Sequence, residues 1–127
     1  MGGGDAGSIL VVDDDADLRF LIAEVLADEG YTVVTAQHGA AALDCLAREA
    51  PRAIVLDMRM PVMDGWAFAR AYRALPGPHA PLIVCTAARD AAERGAEVEA
   101  AATLAKPFVL TELADTVRAV VAADQSR

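Results

Sequence analysis

Basic residues are scarce: 11 lysines and arginines stand against 19 aspartates and glutamates, a formal charge of −8 over 127 residues. A surface of that sign repels phosphate backbones, which argues against direct nucleic-acid binding. Long apolar runs are missing too. None approaches the roughly 20 residues that a membrane helix needs, so no membrane contact is expected. The opening MGGGDAGS has neither a basic region nor a hydrophobic segment and is not a secretory signal; its glycines read as a flexible tail over residues 1–7. Cysteine is limited to Cys45 and Cys85. They lack metal-ligand spacing and read as thiols of a reducing cytoplasm. Nothing repeats and no linker divides the chain, so its length fits one domain with one core.

What the chain does have is a hydrophobic fraction of 55%, much of it alanine. Such a composition excludes wholesale disorder and favours helices packed closely on a sheet. Ile9–Val12, Ala53–Leu56 and Leu82–Cys85 are short continuous apolar runs, the pattern of strands buried on both faces. Tyr31–Ala36 is β-branched, and Thr103–Ala105 is a short fifth strand. Helical patterns alternate with these strands. Leu18, Leu21, Ile22, Val25 and Leu26 recur at helical spacing until Gly30. Ala40–Glu49 is helical and ended by Pro51, and Trp66–Leu75 follows the loop marked by Pro61 and Asp64-Gly65. A polar, alanine-rich helix runs from about Asp90 to Val98. Thr111 caps a last helix with Leu113, Val117, Val120 and Val121 inward.

Strands alternating with helices imply right-handed crossovers and a parallel sheet between two helical layers, a three-layer α/β sandwich. Function in that architecture gathers where the strands end. Here those ends are Asp13 and Asp14, Asp57, Thr86 and Lys106. Three consecutive aspartates, Asp13 to Asp15, close the first apolar run, although like charges repel and desolvation makes that worse. A small hard cation with oxygen ligands resolves the conflict, and Mg²⁺ is the natural choice. Asp15 differs, because it stands where it can cap the following helix. Helix capping alone leaves Asp57 unexplained, since Met58-Arg59-Met60-Pro61 follows it rather than a helix.

ILVVDDD, LDMRMPVMDG, IVCTA and LAKPF occur in that order, and together they resemble the receiver domain of bacterial response regulators. The resemblance covers about Ser8 to Ala122, leaving 123–127 as a C-terminal tail. It implies a flavodoxin-like, doubly wound sheet of five parallel strands in the order 2-1-3-4-5. It also implies a phosphorelay switch, not an enzyme on other substrates but a domain that assists its own phosphorylation and dephosphorylation. Asp57 matches the phosphoacceptor, which takes a phosphoryl group from a histidine kinase, a phosphotransfer protein or a small phosphodonor. Asp14 would bind Mg²⁺ directly and Asp13 through water, with the Arg59 backbone carbonyl as a further ligand. Lys106 would pair with the phosphoryl group, and Thr86 would give it a hydroxyl hydrogen bond. Lys106-Pro107 resembles the family's cis peptide. A downstream effector protein would read the phosphorylated state.

Three departures bear on that readout. Thr103 stands where the family usually carries an aromatic, Glu99 where a glycine is usual, and the Thr86–Lys106 interval is slightly short. A small Thr103 cannot transmit the change as a ring does, so the response is expected in residues 87–102 rather than the last helix. No output domain follows the last helix, so the expected forms are a stand-alone or an excised receiver. Two other functions compete. A Mg²⁺-dependent aspartyl phosphatase would use Asp13 as nucleophile, but Asp17 stands where that family wants a hydroxyl or valine. A phosphorylation-independent adaptor would not need Asp57, Thr86 and Lys106 intact.

Overall fold

The computed structural model describes residues 7–87, 89 and 91–125. Most of the expected N-terminal tail, together with Ala88 and Asp90, lies outside the described residues. The chain alternates strand and helix throughout: β1 (Ser8–Val12), α1 (Ala16–Asp28), β2 (Thr32–Ala36), α2 (Gly39–Leu46), β3 (Ala53–Asp57), α3 (Gly65–Ala74), β4 (Leu82–Ala87), α4 (Ala91–Glu97), β5 (Ala102–Lys106) and α5 (Leu110–Gln125). The five strands form one parallel sheet in the order β2-β1-β3-β4-β5. Among the described residues no helix is long and apolar enough to cross a membrane.

Successive strand side chains point to opposite faces, so each apolar run supplies two cores at once. Leu10, Val12, Ile54, Leu56, Leu82 and Val84 pack on one face, under Phe68, Ala69 and Tyr72 of α3. Ile9, Val11, Val55, Ile83, Cys85 and Leu104 pack on the other, under Ile22 and Leu26 of α1 and Leu113, Val117 and Val121 of α5. Both faces are covered, which is why those runs do not alternate with polar residues.

Side-chain caps fix the helix starts. Asp15 accepts from the Asp17 and Leu18 amides at 3.0 and 3.1 Å and begins α1, as its position predicts. His38 caps α2 and Asp64 caps α3. Three helix boundaries in particular differ from expectation. α2 ends at Leu46, with Ala47 to Glu49 in a turn that still bonds back to Leu43 and Cys45. Pro51 disfavours helical geometry at Ala50, so the last turn unwinds before the proline is reached. Thr111 lies inside α5 instead of capping it; the Val109 carbonyl accepts the first amides, from Glu112 and Leu113. α5 itself continues to Gln125, past the expected edge at Ala122.

Gly65 lets α3 sit directly against the end of β3. A Cβ there would come within 2.5 Å of Met58 Sδ, 2.7 Å of Met58 Cα and 3.0 Å of the Asp57 carbonyl oxygen. Two of those neighbours are backbone and cannot rotate aside. Gly65→Ala is therefore expected to lower stability by about 1–3 kcal/mol, the range for overpacking. Urea unfolding checks it, and an unchanged midpoint contradicts it.

Candidate functional site

The parallel register delivers the strand-end residues to one edge of the sheet. Val12 pairs with Leu56, Asp57 with Cys85, and Ala87 with Lys106. Asp13 and Asp14 directly follow β1, Asp57 is the last residue of β3, and Lys106 the last of β5. Thr86 lies one residue inside the end of β4. The buried polar side chains among the described residues are Asp13, Asp57 and Thr86, at 3%, 7% and 2% exposure. Burying two carboxylates together costs several kcal/mol unless they are compensated, so their coincidence at one edge marks a site rather than a fold requirement.

The compensation present is partial. The Lys106 ammonium reaches Asp13 Oδ2 at 3.1 Å and Asp57 Oδ1 at 3.7 Å, from a half-buried side chain. The Lys106-Pro107 peptide is cis. Asp13 is further fixed by its neighbours: Oδ1 accepts from the Asp15 amide at 2.9 Å, and its carbonyl accepts from the Arg19 guanidinium at 2.7 Å. Asp57 Oδ1 accepts from the Arg59 amide at 3.3 Å. Asp14 is exposed at the mouth. Each of Asp13, Asp14 and Asp57 offers a carboxylate oxygen within 4.8 Å of the others'. Arg19 is the contact that sequence reasoning missed, because it bonds the Asp13 backbone carbonyl, which any residue type at that position would offer.

Electrostatics follow this geometry. Burial, with the Asp13 charge beside it, pushes the Asp57 carboxyl from 3.8 up to about 6; Lys106 and the Arg59 amide oppose the rise, and Asp14 adds to it. Burial works against the Lys106 ammonium, but Asp13 and Asp57 outweigh it and hold its pKa above the ordinary value. Burial likewise pushes the Cys85 thiol up to about 12, leaving it unreactive. An all-oxygen donor set with excess negative charge and an open side suits a hard divalent cation.

The raised Asp57 pKa makes a stability prediction for the metal-free protein. The folded state disfavours the carboxylate, so a penalty is fully present above pH 6 and absent below pH 4. Asp57→Asn removes it. In chelator at pH 7 the variant is expected to be more stable by about 2–3 kcal/mol, at 1.36 kcal/mol per pKa unit. The gain shrinks as pH falls from 6 to 4. Urea titrations at both pH values check this, and a variant less stable than wild type at pH 7 contradicts it.

The loop that follows Asp57 is strained. Met63 donates to the Pro61 carbonyl at 2.7 Å across Val62, which is 80% exposed and has a φ of 70°. A β-branched residue held there costs roughly 1–3 kcal/mol and is found mainly beside functional sites.

An acidic edge of a 2-1-3-4-5 parallel sheet, faced by a lysine from the last strand, defines a class, and sequence comparison agrees. The chain belongs to the response regulator receiver domain family, whose pattern it matches over residues 9–118. More particularly, it is 43% identical over 115 residues to the response regulator MprA of Mycobacterium sp. (strain KMS), covering 89% of this chain and 50% of that protein. MprA of Mycobacterium avium (strain 104) is 42% identical over the same length. The chain thus spans about half the length of these relatives. Among solved structures, the chemotaxis response regulator CheY4 of Vibrio cholerae superposes with a TM-score of 0.81 at 31% identity, covering 90% of this chain and 98% of that one. The receiver domain of a signal transduction histidine kinase from Syntrophus aciditrophicus superposes with a TM-score of 0.83 at 30% identity, covering 93% and 92%.

Proposed function

We propose that this receiver domain switches by phosphorylation of Asp57. The observation that carries the reading is the Lys106 ammonium, held 3.7 Å from a buried strand-end carboxylate whose neighbours are two further aspartates. An Asp57 carboxylate oxygen attacks the donor's phosphorus. The bond from phosphorus to the leaving group breaks, and its electron pair departs with that group, the imidazole of a histidine kinase or phosphotransfer protein, or acetate from acetyl phosphate. Lys106 exchanges part of its contact with the carboxylates for a phosphoryl oxygen. Thr86, one strand over, donates its hydroxyl to another. Asp14 and Asp57 would hold Mg²⁺ directly, Asp13 through water, with the Arg59 carbonyl as a further ligand. When bound there, Mg²⁺ supplies positive charge that offsets the transferring oxygens.

A receiver spanning residues 8–122, with α5 extending it, is proposed as the whole phosphoacceptor unit; a downstream effector protein reads it. The net charge of −8 keeps this domain from contacting nucleic acid itself. A phosphatase using Asp13 as nucleophile is disfavoured, because Asp15 and Lys106 already engage both of its oxygens. A phosphorylation-independent adaptor would gain nothing from burying Asp13 beside Asp57. Acetyl phosphate with Mg²⁺, read by intact mass, tests the proposal: one added phosphoryl group per chain is expected. No added mass over a full time course contradicts it.

A further inference from the structure

Charge is spread unevenly over the helices. α1, α2, α4 and α5 each carry more acidic than basic residues, whereas α3 carries Arg70 and Arg73 and no acidic residue. Trp66, Ala69, Arg70 and Arg73 recur at the spacing of one helix face. That face meets Glu97 and Val98 across a groove of about 250 Å³ between α3 and the end of α4. Its floor is apolar, since Ala69 and Val98 are 3% and 6% exposed. Trp66, the single tryptophan of the chain, adds a half-buried ring.

Glu97, the acidic residue of the lining, is already engaged. Its Oε1 accepts from the Trp66 indole N–H at 2.6 Å and lies 3.2 Å from Arg94 Nε. Arg73 is fixed in place by donating to the carbonyls of Val98 and Glu99. A guanidinium carries more donors than those two bonds use. Arg70 is exposed, and no ion pair joins it to another described residue. The groove is thus a positive island with an apolar floor on a chain of net charge −8. Arginine and tryptophan are also the side chains that most often anchor protein interfaces. The opposite side of α4 offers no such cleft at Gly95, where a Cβ would lie 2.1 Å from the Thr103 methyl.

We propose that the α3–α4 groove docks an acidic segment of a partner protein, with a carboxylate on Arg70 and Arg73 and an apolar side chain in the cleft beside Trp66. Charge complementarity selects that occupant. Salt screens charges beyond about 10 Å, so a short acidic segment responds to the two arginines more than to the distant acidic helices. A nucleic-acid backbone, charged along its whole length, would extend from the island onto the acidic surface around it. No group of the Asp57 site takes part, so the surface stands or falls separately from the acceptor assignment.

A library of random displayed peptides, selected on the full chain at physiological salt, tests the proposal. The overall charge favours basic peptides, so recovery of an acidic family is diagnostic. Peptides pairing Asp or Glu with Leu, Phe or Trp are expected, and a synthetic member should shift Trp66 emission on binding. Arg70→Glu places like charges opposite each other and should weaken that peptide roughly tenfold or more, while Arg70→Lys keeps part of the affinity. Arg48→Glu makes the same charge change on the exposed Arg48 beyond α2 and should leave binding as in wild type. Urea unfolding and acetyl phosphate labelling of Arg70→Glu should match wild type, since Arg70 belongs to neither core nor to the acceptor edge. Selection of basic or neutral peptides alone overturns the proposal, as does equal weakening by Arg70→Glu and Arg48→Glu. A duplex oligonucleotide that binds at the same salt and is lost with Arg70→Glu, where no acidic peptide binds, also overturns it. So does self-association of the chain that Arg70→Glu abolishes.

Discussion

Asp57→Asn abolishes phosphodonor labelling while the protein stays folded. The amide is nearly isosteric with the carboxylate but is not a nucleophile, and no other group in the site replaces it. Asp13 has one oxygen on the Asp15 amide and the other on Lys106. Asp14 is exposed, and the ammonium's carboxylate contacts are to Asp13 and Asp57. The same substitution removes a disfavoured buried charge, so loss of labelling coincides with a gain in metal-free stability. That pairing separates loss of chemistry from loss of fold. Intact mass after acetyl phosphate treatment reads the first, and stoichiometric labelling of the variant would sink the assignment.

Removing the divalent cation, or its exposed ligand, has the next greatest effect. Mg²⁺ is expected to bind weakly, because carboxylates and waters on an open edge form its shell instead of a closed cage. Asp14→Ala leaves both cores untouched, since Asp14 belongs to neither. It should weaken Mg²⁺ binding by roughly 10–100-fold or more, the range seen even when an outer partner of a metal ligand is lost. Labelling should fall in parallel, and excess chelator should stop it in wild type. A Mg²⁺ titration followed by Trp66 emission gives the affinity, since Trp66 lies against Arg59 beside the acceptor. Labelling that proceeds equally well in chelator contradicts the metal's role.

The sheet and its edge were legible because their signals are local. An apolar run ending in an aspartate fixes both a buried strand and the residue displayed at its tip, and it did so at Val12 and at Leu56. Asp15 was legible for the same reason, since a cap constrains residue type at one position; Gly65 was legible only as the end of a loop, and its close approach to Met58 emerges from the structure. The Glu99 departure was visible as a side chain where a glycine is usual, and the left-handed backbone there shows why glycine is. Helix ends were less legible. Thr111 has the chemistry of a cap, but backbone carbonyls serve α5 equally well, and propensity does not decide between them.

What sequence could not disclose was contact between distant residues. Trp66 and Glu97 are 31 positions apart, and Arg73 reaches carbonyls of Val98 and Glu99, which any residue type would offer. Arg19 is near in sequence, six residues from its partner, but it too bonds the Asp13 backbone and not its carboxylate. No pattern of residue types encodes a bond to a carbonyl. Such links appear only once crossovers have set the helices side by side.

The central claim is that one carboxylate, Asp57, receives the phosphoryl group, and peptide mapping tests it most directly. Trypsin cleaves after Arg52 and Arg59, releasing AIVLDMR, in which Asp57 is the one acidic side chain. Borohydride reduction of acetyl phosphate-treated protein converts an aspartyl phosphate to homoserine, a stable mark at the acceptor. That mark is expected on the peptide of residues 53–59, and absent from it in the Asp57→Asn variant. A mark on the peptide carrying Asp13, Asp14 and Asp15, with residues 53–59 unmodified, would contradict the account.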